Sequence, residues 1–405
     1  MDPGPDGATS DPQHGQAGVH SVYVSDKSQS GMIAGLKRSY TPARPDPWLQ
    51  RKLAVGILIA LVIWSFYVVV GRACAPLIQR HSSTGLGRGT GIGVMIAFVL
   101  LFLIFAWSYV KMIATGPGFA PDFVDPSPPP KLPPTTEGVG PDPSDTAPIA
   151  NFLSQALRAP SDTTPAPQEE TGRWREIPRP VPRVDTGPRW CKFCEINKPD
   201  RTHHCRHCGK CVMQFDHHCM WIGQCVGWAN HKFFIIFNLW ATLYCLYILV
   251  FLIVYTKSDS SVDGQVIGLI AVSALFGLFA LSMLLTHVYL IMTGRTTVES
   301  FKGRDQDEQE ALVLQLEYGH LWHNQQKRKV KRRWEEEWGG VPVDARWRWG
   351  SAGQLWMEEM GKTRLGWLLP IGRPLGDGIH FRSNPRFGPN GEWLRKKDWP
   401  ARLQV

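Results

Sequence analysis

The chain has 405 residues, a formal net charge of +9 at pH 7, 43% apolar residues and only 20% charged ones. The apolar residues are gathered into a few long uncharged blocks, which excludes both an ordinary soluble globular protein and a wholly disordered chain. Beside such blocks a basic balance points to anionic headgroups or an acidic ligand, and nucleic acid is not expected.

In chain order, residues 1 to 36 are rich in Gly, Asp, Ser and Pro, have little to bury, and read as disordered. Lys37, Arg38, Arg44, Arg51 and Lys52 follow, so that 1–52 forms a basic, unstructured N-terminal segment. Four blocks without acidic or basic residues come next: Leu53 to Gly71, Gly89 to Val110, Phe233 to Thr256, and Gly264 to Gly294, the last containing the ionisable His287. About 20 apolar residues cross a bilayer core as a helix, so the fold class is an α-helical polytopic membrane protein with four transmembrane helices. The first block is not a cleaved signal peptide, because about 50 polar residues precede it.

The loop from Lys257 to Asp263 carries one lysine against two aspartates, whereas the flank before the first span is basic. The positive-inside rule therefore places both termini and the segment between spans two and three in the cytosol, with Arg72, Arg80 and Arg88 on the opposite flank counting against it. This gives spans one and two at 53–112, a Pro-rich linker at 113–188 containing "PSPPPKLPP", a cysteine-rich domain at 189–232, spans three and four at 233–294, and a tail at 295–405. In the tail, Lys327 to Arg333 reads either as a membrane-surface patch or as a solvated helix face. Asn384 to Trp393 has turn chemistry that suits docking against the membrane domain. Cys74 and Cys245 read as packing residues, and His287 as a hydrogen bonder between helices.

Seven of the nine cysteines fall between Trp190 and Lys232: Cys191, Cys194, Cys205, Cys208, Cys211, Cys219 and Cys225, interleaved with His203, His204, His207, His217 and His218. Pairs of cysteines two residues apart form knuckles that present two thiolates to one tetrahedral ion, and zinc is the expected metal in a reducing compartment. Two Cys3His sites would use six cysteines and leave one, either Cys219 or Cys225. In an extended segment His217 and Cys219 point to one face and His218 to the other. A thiol paired with a histidine that is itself oriented by a carboxylate becomes nucleophilic near neutral pH, so a metal site and a catalytic site are read on the same few residues.

The pattern Cys191-x2-Cys194, Lys198-Pro199-x-Arg201, His204-Cys205-x2-Cys208-x2-Cys211, Asp216-His217-His218-Cys219-x-Trp221 and Cys225-x-Gly227 resembles the DHHC cysteine-rich domain of protein S-acyltransferases, which also place it between spans two and three. The long linker and Trp-rich tail look like those of fungal members. The resemblance implies one structural zinc on Cys191, Cys194, His204 and Cys211, and a second on Cys205, Cys208, His218 and Cys225. It implies Cys219 as nucleophile, His217 as its base and Asp216 as the residue orienting His217. Palmitoyl-CoA is the implied donor, with ping-pong transfer through acyl-Cys219 to cysteines of membrane-associated substrate proteins. Lys198 and Arg201 match positions suited to CoA phosphates. Thr296, Thr297 and Glu299 of "TTVE" resemble the motif that supports the active site, and Thr-x-x-Glu is equally a helix-capping box. Met220, Gln224 and Gly116 depart from the family's usual proline, asparagine and aspartate.

Two other function classes fit zinc modules at membranes, a non-enzymatic adaptor and a ubiquitin ligase module, and neither needs a histidine-paired free cysteine. Four spans without a lumenal domain fit the endoplasmic reticulum, Golgi, vacuole or plasma membrane, and an endomembrane is the expectation.

Overall fold

The computed structural model describes residues 45–79, 87–130, 177–181, 189–258, 263–319 and 325–404. The expectations for residues 1–44, and for most of the Pro-rich linker, lie outside the described residues.

Among the described residues four helices are long and apolar enough to span a bilayer: α1 (Trp48–Gln79), α2 (Arg88–Ala114), α3 (His231–Ser258) and α4 (Gly264–Met292). The shortest has 27 residues, which at 1.5 Å per residue is about 40 Å and exceeds a hydrocarbon core of about 30 Å. The protein is an integral membrane protein. The first helix outruns its uncharged block because Arg72 does not end it: Arg72 Nε lies 2.9 Å from Asp263 Oδ2, at the start of α4. Between Tyr67 and Cys74 this helix widens to π-helical turns, whose Val68, Val69, Ala73 and Cys74 are buried. Of the four spans α3 is the most enclosed, 44% of its apolar window being buried against 17–28% elsewhere. It packs on both α2 and α4. Its contact with α2 is an aromatic ladder in which the Phe105 ring stacks on Tyr244 at 4.9 Å, and Tyr109 meets Phe237 at 5.0 Å.

The cysteine-rich segment is three antiparallel hairpins: β1 (Trp190–Cys191) with β2 (Ile196–Asn197), β3 (His203–Cys205) with β4 (Lys210–Val212), and β5 (His217–Cys219) with β6 (Gln224–Val226). Each strand has only two or three residues, too little to hold a sheet without cross-links. Contacts from α1 and α2 fix this segment to the spans. From α2, three carbonyls at its C-terminal end, those of Met112, Ile113 and Thr115, accept hydrogen bonds from the Gln224 side chain at 2.9–3.4 Å, and Asn230 adds a fourth bond to Thr115 at 3.2 Å. The last carbonyls of a helix lack partners within it, so Gln224 caps α2 from the zinc module. From α1, the backbone at Arg51 and Lys52 rests on Gly223, where a Cβ would lie 2.7 Å from the Arg51 carbonyl.

The tail forms α5 (Thr297–Tyr318), α6 (Gln325–Trp338), α7 (Ala352–Met360) and the single turn α8 (Leu365–Leu368). Lys327 to Arg333 lies on α6, which buries Trp334 and Trp338 on one face. The Asn384 to Trp393 turn packs within the tail instead of on the membrane domain. Phe387 and Trp393 cluster with Trp338 and Ala345, and Asn384 Nδ2 donates to the Ala345 carbonyl at 3.2 Å. What docks on the membrane domain is α7 and α8, whose Leu368 carbonyl accepts from Trp240 Nε1 of α3 at 2.7 Å. The buried Lys232 ammonium, at the start of α3, donates to the Met360 carbonyl at 2.7 Å, and Trp228 Nε1 donates to the Gly376 carbonyl at 3.2 Å. A cation at carbonyls that end a helix is a favourable arrangement.

Candidate active site

The three hairpins are copies of one unit. Cys191, Cys205 and Cys219 stand at 14-residue intervals and occupy the same strand position, as the pairings Cys191↔Ile196, Cys205↔Lys210 and Cys219↔Gln224 show. Three residues beyond each are Cys194, Cys208 and Ile222, and the next position is left-handed every time: Glu195 at φ 53°, Gly209 at 66° and Gly223 at 63°. The unit is thus a Cys-x2-Cys knuckle, with the second cysteine replaced by Ile222 in the third copy.

The metal sites span neighbouring copies. Cross-strand partners project to one face, so His204 and Cys211 of the second hairpin join Cys191 and Cys194 of the first, while His218 and Cys225 of the third join Cys205 and Cys208 of the second. His204 Nδ1 lies 3.4–3.8 Å from its three sulfurs, and His218 Nδ1 lies 3.4–3.6 Å from its own. A tetrahedral ion with bonds of about 2.3 Å to sulfur and 2.0–2.1 Å to nitrogen has a nitrogen–sulfur edge of about 3.6 Å, so both donor sets fit zinc. With two such Cys3His sets, the protein is built for two zinc ions. When bound, they cross-link hairpins that are too short to persist alone.

Alternation along β5 turns His218 to the second metal set and leaves His217 and Cys219 together on the opposite face. His217 Nδ1 hydrogen-bonds to Asp216 Oδ2 at 2.6 Å. That bond fixes Nδ1 as the protonated nitrogen and leaves Nε2 for the sulfur. Burial discourages the imidazolium, but hydrogen bonds to Asp216 and to the Cys219 sulfur, with the charges behind them, outweigh it and push His217 up to about 9. Cys219 is buried.

Asp216 has no exposed surface. Burial works against its charge, yet the His217 hydrogen bond and the neighbouring His287 and His231 hold it below the usual carboxylate range. The N-terminus of α5 grips it as well: the Thr297 N–H donates to Oδ1 at 2.9 Å, and the Thr297 hydroxyl lies 2.6 Å from the Asp216 carbonyl oxygen and 3.1 Å from Oδ2. A carboxylate at a helix N-terminus meets unpaired N–H donors and the positive end of the dipole. Thr296 and Glu299 complete a capping box on this turn. Capping and support of the site are therefore one structure.

Arg201 is engaged differently from the expected CoA contact. Its guanidinium is buried and donates to both Glu299 oxygens at 2.8 and 2.7 Å, with Trp347 and Phe381 against its faces. It braces the capping box instead of presenting charge to a ligand, whereas Lys198 stays partly exposed. Of the departures, Gln224 is the α2 cap described above, Gly116 has open space around it, and Met220 is 60% exposed beside Cys219.

Below the hairpins a cavity opens between α1, α2, α3 and α4. Its lining is almost wholly apolar, including Leu58, Phe105, Trp221, Phe237, Tyr244 and Phe276. Trp221, two residues after Cys219, joins it to the site, and its carbonyl accepts from the Tyr109 hydroxyl at 2.9 Å. Deep inside, Ser65 Oγ and Tyr244 Oη share a hydrogen bond of 2.8 Å. Cys245, read from the sequence as packing, is part of this wall. His287, read as a hydrogen bonder between helices, does bond His231 of α3 at 3.0 Å, and both rings lie next to Asp216.

Residues 185–304 match the family DHHC palmitoyltransferase. Palmitoyltransferase ZDHHC15 of Xenopus laevis is 30% identical over 364 residues, covering 84% of this chain and 86% of its own. The chain belongs to the DHHC palmitoyltransferase family. Palmitoyltransferase ZDHHC20 of Homo sapiens is 28% identical over 332 residues, covering 79% of this chain and 73% of its own. Within the family frame the two Cys3His sets are the zinc sites and the spans carry the enzyme in its bilayer.

Proposed function

We propose that this palmitoyltransferase works through Cys219, with His217 as the base and Asp216 as the group that holds His217. It transfers a long-chain acyl group from acyl-CoA to protein cysteines. In the first half-reaction the Cys219 sulfur attacks the thioester carbonyl, the carbon–sulfur bond to CoA breaks, and the departing CoA thiolate takes the proton that His217 Nε2 received from Cys219. In the second, a substrate thiol gives its proton to His217 and attacks the acyl-Cys219 carbonyl, and Cys219 leaves as the thiolate that His217 reprotonates. One thioester is exchanged for another at each step, so neither ATP nor a redox partner is needed. Cys191, Cys194, His204 and Cys211 form the first zinc set, and Cys205, Cys208, His218 and Cys225 the second. The second set holds the hairpin that carries Cys219, and the first ties the other two hairpins together.

The observation that carries this reading is the placement of an Asp216–His217–Cys219 set above an apolar cavity between the spans. Removing apolar chain from water gains about 0.8 kcal/mol per CH2, so a long acyl tail is drawn into such a cavity while its thioester stays at the interface. Lys198 is the residue we assign to the CoA phosphates, with Arg201, Thr296, Thr297 and Glu299 as the brace behind Asp216. The protein partners are cysteine-containing membrane-associated proteins, with no part for nucleic acid. The functional divisions are 1–52, 53–112, 113–188, 189–232, 233–294 and 295–405, with both termini and the 189–232 domain in the cytosol and the enzyme in an endomembrane.

The test is purified protein and Cys219→Ser in detergent with labelled palmitoyl-CoA. Hydroxylamine-labile label on the parent, with two zincs and no label on the variant, is the expected outcome. Equal labelling of the two would refute the assignment of Cys219.

A further inference from the structure

The wall of the site behind Asp216 contains a row of buried ionisable side chains that runs from the catalytic set into the tail. His287 of α4 lies with Nε2 3.9 Å from Asp216 Oδ2, too long for a hydrogen bond but facing the carboxylate. Its other nitrogen, Nδ1, meets His231 Nε2 of α3 at 3.0 Å. His231 Nδ1 then lies 3.1 Å from Glu359 Oε1 of α7. Glu359 Oε2 accepts from Gln214 Nε2 at 2.9 Å, two residues before Asp216. All of these side chains are less than a tenth exposed. The row therefore begins and ends in the cysteine-rich segment, and passes through two membrane helices and the tail.

Its order fixes what each nitrogen does. Glu359 Oε1 faces His231 Nδ1 as an ion-pair contact, which leaves His231 Nε2 toward His287 Nδ1, and that contact aims His287 Nε2 at Asp216. Carboxylates thus flank the imidazole pair at both ends. Asp216, His231 and His287 could also be read as metal ligands, since one donor atom from each lies within 4.8 Å of the others. His287, however, turns opposite nitrogens to its two neighbours, which threads the rings in line instead of closing them round one point.

We propose that Glu359 is a positioning residue for acyl transfer: it holds the His231–His287 pair in the orientation that presents His287 Nε2 to Asp216, so that docking of α7 completes the active site. This rests on the reading of Asp216, His217 and Cys219 as the catalytic set. Glu359 touches neither the acyl donor nor the sulfur and acts only through the two rings. Burial works against its charge, but His231 and Gln214 hold it below the usual carboxylate range. The adjacent Glu358 faces away, accepting from Trp349 Nε1 at 2.8 Å. It serves as a matched control on the same turn.

The experiment uses the full chain in detergent and measures the rate of Cys219 labelling against palmitoyl-CoA concentration, with zinc content, for Glu359→Gln, Glu359→Asp, Glu358→Gln, His287→Asn, the Glu359→Gln/His287→Asn pair, and Cys219→Ser. Glu359→Gln keeps the shape and removes the charge. It is expected to lower kcat about tenfold, the usual scale for losing a partner that orients a working imidazole, with KM unchanged and two zincs retained. Glu359→Asp is expected to recover part of the rate, Glu358→Gln to match the parent, and the paired variant to be no slower than His287→Asn alone. Equal losses in the Glu358 and Glu359 variants, additive losses in the pair, or a third zinc lost with Glu359→Gln would overturn the proposal. Should Glu359→Gln lose its zinc through misfolding, Glu359→Asp compared with its pair with His287→Asn decides by the same additivity. Labelling of Cys219→Ser would instead refute the catalytic assignment, whatever the Glu359 variants do.

Discussion

With the acyl chain placed in the cavity between the spans, as proposed, the deep end of that cavity sets a measurable limit on chain length. Tyr244 of α3 reaches across to Ser65 of α1 through the 2.8 Å hydroxyl contact. The α3 residues on the cavity wall run from Phe237 to Ile248, a depth of about 16 Å at 1.5 Å per residue, with Tyr244 about 10 Å down. Tyr244→Ala removes the ring that narrows the passage and opens the space toward Ile248. A donor longer by two methylenes can then bury both, for about 1.6 kcal/mol, or up to about 15-fold in relative kcat/KM. The assay is a competition of stearoyl-CoA against palmitoyl-CoA, reading acyl-Cys219 by mass. The ratio is taken within one protein, so the stability lost with the ring, which also stacks on Phe105, cancels. The stearoyl-to-palmitoyl ratio is expected to rise several-fold in Tyr244→Ala and to fall in Ser65→Leu, which fills the same end. An unchanged ratio in both variants would refute the placement of the acyl chain in this cavity.

Thr297→Val deletes the hydroxyl at Asp216 while keeping its shape. Loss of a hydrogen bond to a charged group costs about 1.5–3 kcal/mol, so labelling of Cys219 is expected to slow about ten- to a hundredfold and to recover in Thr297→Ser. Arg201→Leu leaves Glu299 buried and unpaired in the capping box. A broken buried pair costs about 3–5 kcal/mol, which thermal unfolding in detergent should register as a large drop in melting temperature, with a smaller drop for Arg201→Lys. A strong zinc chelator is expected to abolish labelling and hairpin structure while the helical signal of the four spans persists, because the hairpins are held by metal and the spans by the bilayer. Loss of labelling without loss of zinc would contradict that account.

The spans were legible because a run of uncharged residues is a one-dimensional signal, although the end of α1 was not: the helix runs on past Arg72, whose side chain pairs with Asp263, remote in sequence. Alternation along three residues was enough to separate His217 and Cys219 from His218. The brace was only half legible. Thr296 and Glu299 announce a capping box from their spacing, but that Thr297 would grip Asp216, and that Arg201 would be consumed by Glu299 instead of facing CoA, depends on where α4 delivers the chain. Glu359 and Gln224 carried no local signal at all. One is an acidic residue on a tail helix and the other an amide in a turn, and each takes its meaning from a carbonyl or ring more than 50 residues away.

The 14-residue repeat explains why the spare cysteine is Cys219. Each zinc takes a knuckle from one hairpin and a cross-strand histidine–cysteine pair from the next, so three hairpins close two metal sites and leave the third knuckle without a following hairpin to complete it. In that knuckle Ile222 occupies the second cysteine position and is fully buried. Cys219 therefore keeps the geometry of a metal ligand, on a hairpin whose other side is clamped by the second zinc set, but its sulfur is left facing His217. With Cys219 as the proposed nucleophile, the scaffold supplies the rigidity it needs, and the missing second cysteine leaves its lone pair free to react. Ile222→Cys would restore a two-thiolate knuckle at Cys219, and the expected result is slower labelling by palmitoyl-CoA in added zinc, reversed by chelating the excess. A rate indifferent to zinc would refute the account of Cys219 as a ligand position released from its metal.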